Sequence, residues 1–274
     1  MRQYILPKTF KGEDSLVLRG KESQYLSKVL RLKEGQHILG RDQAGKTYQL
    51  TIEKIGKQEC RLSCIAVDED ASVQTTDALP SYTGPYPNLT LMQCLCKGKK
   101  EEQIVRQATE IGVREIVLVQ SRYCIPDLSG KSEKALGNRF ERLDRQVKEA
   151  LQQSGSPLST EIHPEIIPLT ELSKWWENRG PALFFHQSNR NESQKTLHEL
   201  LESLPIDTPI ALLVGPEGGF SEEECSALED EGWNPVLLRT NILRSETAGI
   251  YALSAIQTIM TEKVTEPVHL SKRE

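Results

Sequence analysis

A mostly parallel α/β sheet preceded by a small β-rich domain is the fold class this sequence predicts, on three observations. From residue 89 onward, short apolar runs alternate with segments of helical periodicity, the pattern of βαβ units. The first 72 residues instead carry short, partly alternating runs separated by Gly, Asp and Lys turns. Between them lies "VQTTDALPSYTGPYPN", residues 73–88, rich in Pro, Gly, Ser and Thr and without periodicity. The expected organisation is a small β-barrel domain over 1–72, a linker over 73–88, an α/β domain over 89–263 and a frayed tail over 264–274.

The first-domain strands are "SLVLRG", "QHILGRD", "TYQLTIEKI" and "CRLSCIAV", with "DQAGKTY" as a hairpin loop. One helix is expected near "ESQYLSKVLRL", where Tyr25, Leu26, Val29 and Leu30 recur at helical spacing. The α/β strands are "LTLMQCLC", "EIVLVQ", "ALFFH", "IALLV" and "PVLLR". Of the helices between them, one sets Ile104, Ala108 and Ile111 on a common face, and a second does the same with Phe140, Leu143, Val147 and Ala150. No internal repeat is present.

Composition excludes several classes. With 37% hydrophobic and 27% charged residues in 274, the chain has enough apolar material for a packed core. No apolar run approaches the roughly 20 residues of a membrane span, so no membrane association is expected. The start "MRQYILPKTF" lacks the apolar stretch of a secretion signal. Cys60 and Cys64, and Cys94 and Cys96, have neither disulfide-framework nor zinc-knuckle spacing; reduced thiols, no metal and a cytoplasmic location are the expectation. The net charge of −5 is unevenly spread: residues 1–70 carry 13 Lys+Arg against 10 Asp+Glu, the rest 21 against 29. A mildly basic first domain is compatible with a phosphate-rich partner.

Ligands of open α/β sheets bind at the carboxyl ends of strands. Two such ends stand out. In "LLVGPEGGFSEEE", Leu212 to Glu224, a strand runs into a glycine-rich loop and then a helix, with Ser221 and Glu224 spaced as a capping box. In "VLLRTNILRSETAGIYALSAIQ", a strand ends near Arg239, an irregular segment follows, and a helix begins about Ser245 with Ala248, Tyr251, Ala252, Ala255, Ile256 and Ile259 as an apolar stripe. The first loop matches neither phosphate-binding glycine motif, and Glu217 would repel a phosphate. A neutral or cationic ligand suits it better.

These two segments together resemble the C-terminal signature of the SPOUT-type ribosomal RNA methyltransferases. More narrowly, they resemble the bacterial family that methylates N3 of a uridine in 16S ribosomal RNA. "YLSKVLRLKEGQHI", "KGKKEEQIVRQATEIGV" and "FFHQSN" carry the resemblance along most of the chain. Two departures stand where the family often has arginine, Asn241 and Ser156. The resemblance implies a PUA-like N-terminal β-barrel that binds RNA, a C-terminal α/β domain with a deep trefoil knot, S-adenosylmethionine as cofactor, the small (30S) ribosomal subunit as partner, and a homodimer. It further implies donor contacts from His186, Val214, Gly215, Pro216, Glu217, Gly218 and Gly219 on one wall, and from Leu238, Ile242, Leu243, Thr247 and Ala248 on the other.

N3 of uridine must lose a proton to accept a methyl group. Arg244 is the candidate for stabilising the developing anion, and Glu246 and Glu217 are the candidate bases. The expected RNA contacts are Lys28, Arg31, Lys97, Lys99, Lys100, Arg142 and Arg145. The alternatives are a ribose 2′-O RNA methyltransferase, a catalytically inactive RNA-binding assembly factor and a nucleotide-binding enzyme. The missing Lys-Ser/Thr after the glycines argues against the last.

Overall fold

The computed structural model describes residues 3–56, 59–67, 84–126 and 132–265, and these fall into two compact units. The expected linker lies outside the described residues as far as residue 83, and the expected tail from 266 onward.

The first unit comprises residues 1–82 together with 151–159. Its elements are β1 (Gln3–Ile5), β2 (Ser15–Arg19), α1 (Lys21–Gln24), which continues as a π-helical turn over Tyr25–Val29, β3 (His37–Arg41), β4 (Thr47–Ile55) and β5 (Glu59–Ala66). The ladder runs β1-β3-β4-β5-β2, antiparallel except for β1 against β3, with no β1–β2 rung among the described residues. Tyr4, Leu6, Leu26, Leu50, Ile52 and Leu62 fill its core. The expected helical stripe is interrupted. Leu30 N–H bonds to Tyr25 O at 3.0 Å, one residue beyond α-helical reach, and the widened turn leaves Val29 62% exposed while Leu26 stays buried. Gln3 is buried and donates from Nε2 to Leu151 O and Ser156 O, both at 2.9 Å. Ser156 is itself buried, and its hydroxyl closes a turn on Leu158, so the serine standing at an expected arginine position has a local structural role.

The second unit is a six-stranded, wholly parallel sheet. In chain order it contains β6 (Leu89–Cys94), α2 (Lys100–Ile111), β7 (Glu115–Gln120), α3 (Glu133–Ser154), β8 (Glu161–Pro168), α4 (Leu169–Trp176), β9 (Ala182–His186), α5 (Leu197–Glu202), β10 (Ile210–Val214), α6 (Glu222–Asp230), β11 (Asn234–Leu237) and α7 (Ser245–Thr265). The order β11-β9-β10-β6-β7-β8 puts β6 and β10 in the middle, and every residue of both is buried, as for strands covered on both faces. Five strands were expected and there are six; β8 was missed. It is an edge strand carrying Pro164, with a register irregularity against β7 and only one buried residue, so it lacks the apolar run that marks its neighbours.

The last helix, α7, is inserted deep in this unit. Its buried face is Ala252, Leu253, Ile256, Gln257 and Met260 rather than the whole expected stripe; Ala248, Ala255 and Ile259 are half-buried and Tyr251 is 50% exposed. Gln257 is the polar member. Its amide accepts from Tyr86 N–H at 2.8 Å and donates to Tyr86 O at 3.0 Å and Gly112 O at 3.2 Å. Replacing it by leucine keeps the volume but leaves three main-chain groups without partners. Gln257→Leu is expected to cost about 2–4 kcal/mol of unfolding free energy, measured by urea denaturation; a loss below about 0.5 kcal/mol would show that water replaces the amide.

Candidate functional site

The carboxyl ends of β9, β10 and β11 open onto a cavity of about 380 Å³. One wall is the loop from Val214 to Phe220, and the facing wall is the irregular segment from Leu237 to Ser245, with His186 and Gln187 at one end and Ala248 of α7 at the other. The position is the one expected of an α/β sheet, outside the carboxyl ends of its strands.

The first wall is fixed by its helix. Ser221 Oγ accepts from Glu224 N–H at 3.2 Å and the Glu224 carboxylate accepts from Ser221 N–H at 2.8 Å, so the capping box forms and α6 starts where the sequence places it. The glycines have internal reasons as well as a ligand-facing one. A Cβ at Gly218 would lie 3.0 Å from Tyr123 Cβ, one at Gly215 would lie 3.2 Å from the Phe220 ring, and Gly219 has φ +71°. The loop therefore needs small residues to pack on itself and on the turn after β7.

The second wall is tied to the first by buried polar groups. Ser245 Oγ donates to Gly215 O at 2.5 Å and accepts from Gln93 Nε2 at 3.0 Å. An ion-pair clamp adds a second tie. Lys100 Nζ, in the first turn of α2, stands 2.9 Å from Glu217 Oε1 and 3.0 Å from Glu246 Oε2, and Glu217 also accepts from Lys97 N–H at 3.2 Å. Burial pushes the Glu217 carboxyl up, but the Lys100 and main-chain hydrogen bonds outweigh it and hold it below the usual range. Its bonds to Glu217 and Glu246 hold the Lys100 ammonium above its usual value. Among the described residues, no protein group accepts from the main-chain N–H of Ile242, Leu243 or Arg244, all three of which line the cavity.

Comparison with known proteins decides the class. Residues 84–257 match the model of an RNA methyltransferase domain and residues 18–63 that of an RNA methyltransferase PUA domain. A relative named ribosomal RNA small subunit methyltransferase E from Aquifex aeolicus is 30% identical over 88% of this chain and 93% of its own, and one of the same name from Bacillus subtilis is 24% identical over 87% and 88%. The crystal structure of a ribosomal RNA small subunit methyltransferase E from Neisseria gonorrhoeae bound to S-adenosyl methionine superposes with a TM-score of 0.76 at 25% identity, over 94% of this chain and 98% of that one. This chain belongs to the ribosomal RNA small subunit methyltransferase E family. It is an RNA methyltransferase with a PUA domain in front of an α/β domain.

Of the expected donor contacts all but Thr247 line the cavity, and of the two catalytic candidates Arg244 does and Glu246 does not. His186, Val214, Gly215, Pro216, Glu217, Gly218, Gly219, Leu238, Ile242, Leu243 and Ala248 line it, as does the catalytic candidate Arg244. Thr247 does not line it, and neither does the candidate base Glu246, which is turned onto Lys100. The helix explains both: Ser245 and Ala248 share one face of α7, so the two residues between them point away from it. Phe185, Gln187, Phe220 and Ser245 line the cavity and were not anticipated. Of the expected RNA contacts, Lys28 and Arg31 are exposed on the first unit, and Lys97, Lys99 and Arg145 on the second. Lys100 is taken up by the clamp, and Arg142 is exposed and lies 3.7 Å from Glu102. Among the described residues, no group of His, Cys, Asp or Glu could hold a metal ion and no helix is long and apolar enough to cross a membrane.

The clamp gives two measurable consequences. Lys100→Met leaves Glu217 and Glu246 without their shared cation, and hydrogen exchange of residues 216–220 is expected to rise about 10-fold while Lys100→Arg restores it; equal exchange in all three proteins would show the clamp to be dispensable. The pH dependence follows from the shifts. Glu217, lowered on folding, contributes stability above the ordinary carboxylate pKa that is lost as pH falls through its folded value; Lys100, raised, contributes stability below the ordinary lysine pKa that is lost only as pH rises past its folded value. The difference in Tm between wild type and Lys100→Met is therefore expected to be constant from about pH 6 to 9 and to shrink as pH falls through the lowered Glu217 value, beneath the ordinary carboxylate range.

Proposed function

We propose that this chain transfers the methyl group of S-adenosylmethionine to N3 of a uridine in the RNA of the small ribosomal subunit, in the cytoplasm, as a homodimer whose α/β domain carries the trefoil knot of its superfamily. The observation that carries the donor assignment is the cavity itself. Its 380 Å³ lies within the roughly 300–1,000 Å³ of small-molecule sites. Val214, Leu238 and Leu243 give it apolar surface for an adenine ring, and the unpartnered N–H groups of residues 242–244 supply donors for the ring edge. Glu217 on the opposite wall is paired with Lys100, which suits that wall to a zwitterionic ligand. S-adenosylmethionine, when bound, supplies a methyl group activated by a sulfonium.

The remaining work falls to side chains. Arg244 is exposed at the cavity wall immediately before α7, where the first-turn N–H groups of the helix also favour negative charge. It is the only basic residue between Arg239 and Lys263, so its charge has no local substitute. A uridine ring that gives up its N3 proton becomes anionic, and Arg244 is placed to stabilise it. Glu217 and Glu246 are both engaged by Lys100, and of the two base candidates only Glu217 lines the cavity, with its carboxyl held below the usual range.

Four results test this reading. Calorimetry is expected to show binding of S-adenosylmethionine and none of ATP. Because an added Cβ at Gly218 collides first with Tyr123, the informative substitution is Ala248→Leu, which fills the cavity from a helix and is expected to weaken donor binding about 30-fold with little change in Tm. Arg244→Ala is expected to keep donor affinity within about 3-fold and to slow single-turnover methylation of small subunits about 100-fold, the scale of one preorganised electrostatic group. Normal turnover would remove Arg244 from the chemistry. For assembly, the half-buried face of Ala248, Tyr251, Ala255 and Ile259 is the surface offered to a second copy, and sedimentation at micromolar concentration is expected to give a dimer that Tyr251→Glu dissociates.

A further inference from the structure

Three cysteines converge where β6 and β7 end, and two of them form a pair. Cys94 closes β6 and is wholly buried. Cys124 belongs to the turn after β7, where its N–H bonds back to Ser121 O at 3.2 Å. The turn folds this half-buried thiol over the strand ends. Its Sγ lies 3.7 Å from Val119 O, the carbonyl that accepts from Leu95 N–H at 3.0 Å. Val119 is the rung partner of Cys94, and Cys124 packs on the core cluster that contains Cys94. The two thiols are hydrogen-bonded, Cys94 donating to Cys124. Ser121 N–H and Ser121 Oγ each stand 3.3 Å from Cys124 Sγ. The third cysteine, Cys96, is turned to Ser245 Oγ at 3.4 Å.

Donors gathered around one sulfur favour its thiolate. The bond from Cys94 does most to bring the Cys124 thiol down to about 6; burial opposes it, and the Ser121 hydroxyl and the main-chain N–H groups of Ser121 and Leu95 add to it. Burial pushes Cys60, Cys64, Cys94, Cys96 and Cys225 up, as for cysteines that serve as small apolar residues. Cys124 departs from that pattern: a partly exposed sulfur beside a second thiol is the arrangement of an oxidisable pair. The same turn touches the donor loop. A Cβ at Gly218 would lie 3.0 Å from Tyr123 Cβ, so Tyr123 stands directly behind the loop. Arg122 N–H donates to Glu224 Oε1 at 2.7 Å, the carboxylate of the α6 capping box. Movement of Cys124 therefore reaches the glycine-rich loop at Gly218 and at the helix that ends it.

We propose that Cys94 and Cys124 are a peroxide-sensitive dithiol, whose disulfide draws the turn toward β6 and withdraws Tyr123 from behind Gly218. The Cys124 sulfur attacks one oxygen of hydrogen peroxide, the O–O bond breaks, and the released hydroxide takes a proton to become water. Cys124 is then a sulfenic acid. The Cys94 sulfur attacks the Cys124 sulfur, the S–O bond breaks, and the departing hydroxide leaves as water with the Cys94 proton. The two sulfurs together lose two electrons and the peroxide gains them. The movement of the loop stands on the cysteine pair alone; its effect on donor binding rests on the methyltransferase reading of the cavity.

Reduced full-length protein treated with hydrogen peroxide is expected to lose two of its six thiols and to give one cross-linked peptide pair, Cys94 with Cys124, which dithiothreitol reverses. On oxidation, hydrogen exchange of residues 216–220 is expected to rise about 10-fold and affinity for S-adenosylmethionine by calorimetry to fall about 10-fold. Cys124→Ser, at a half-buried position, is expected to keep the exchange and affinity of the reduced wild type and to be unchanged by peroxide. Cys94→Ser is expected to stop at a Cys124 sulfenic acid that dimedone traps. No loss of thiols, a disulfide between any other pair, or a Cys124 sulfinic acid with Cys94 still free would overturn the pair. A Cys94–Cys124 disulfide with unchanged exchange at 216–220 would overturn the switch. If reduced wild type does not bind S-adenosylmethionine, the donor reading falls, and the peptide map and the exchange still decide the dithiol.

Discussion

A buried glutamine in the central strand sets the terms for the rest of the site. Gln93 sits inside a run of wholly buried residues, where an unpaired polar group costs about 1–3 kcal/mol; its Nε2 is paired and its Oε1 is not. Its Nε2 donates to Cys94 O and to Ser245 Oγ, and Ser245 passes its own proton to Gly215 O. Three segments far apart in the chain thus meet at one hydroxyl. The glycine-rich loop cannot move off β10 without breaking the bond to Ser245, and α7 cannot shift along its axis without stranding Gln93. Gly249 lets this happen: a Cβ there would come within 3.2 Å of Gln93 Oε1.

The Lys100 clamp works on the same two walls from the solvent side. Its side chains are each about one-quarter exposed or less, and an ion pair in that setting adds little stability by itself. Its value is in position. It joins the start of α2, the loop after β10 and the first turn of α7, the same three neighbourhoods that Ser245 joins beneath. A ligand in the cavity is therefore held between walls fixed at two depths, which limits what must be ordered on binding. Charge follows from this too: the acidic residue on the donor wall is neutralised by Lys100, so the cavity stays acceptable to a ligand that bears a carboxylate as well as a cation.

How much of this could be read from the chain depends on distance along it. The strands β6, β7, β9 and β10, the capping box Ser221–Glu224 and the start of α7 at Ser245 are local patterns, and each forms where the sequence places it. Most of the cavity lining was also legible, because loops at the carboxyl ends of adjacent strands must converge. What failed was whatever depends on direction. Thr247 and Glu246 were grouped with the cavity by adjacency in sequence, yet a helix turns successive side chains by about 100°. Lys100 was taken for a surface cation because its two partners lie 117 and 146 residues away, beyond any local signal. Gln93 had a signal that went unused: a polar residue inside "LTLMQCLC" is out of place unless something buried needs it.

The edges of the sheet carry a related lesson. Both edge strands, β8 and β11, contain a proline, and both are less buried than the strands inside them. Proline removes a ladder donor and so blunts an edge against pairing with another chain. β11 was found because "PVLLR" still reads as an apolar run; β8, with its single buried residue, reads as a loop. The last helix keeps one face for the sheet it packs on and a second, half-covered face for solvent or a second copy, beside the cavity wall it helps to form.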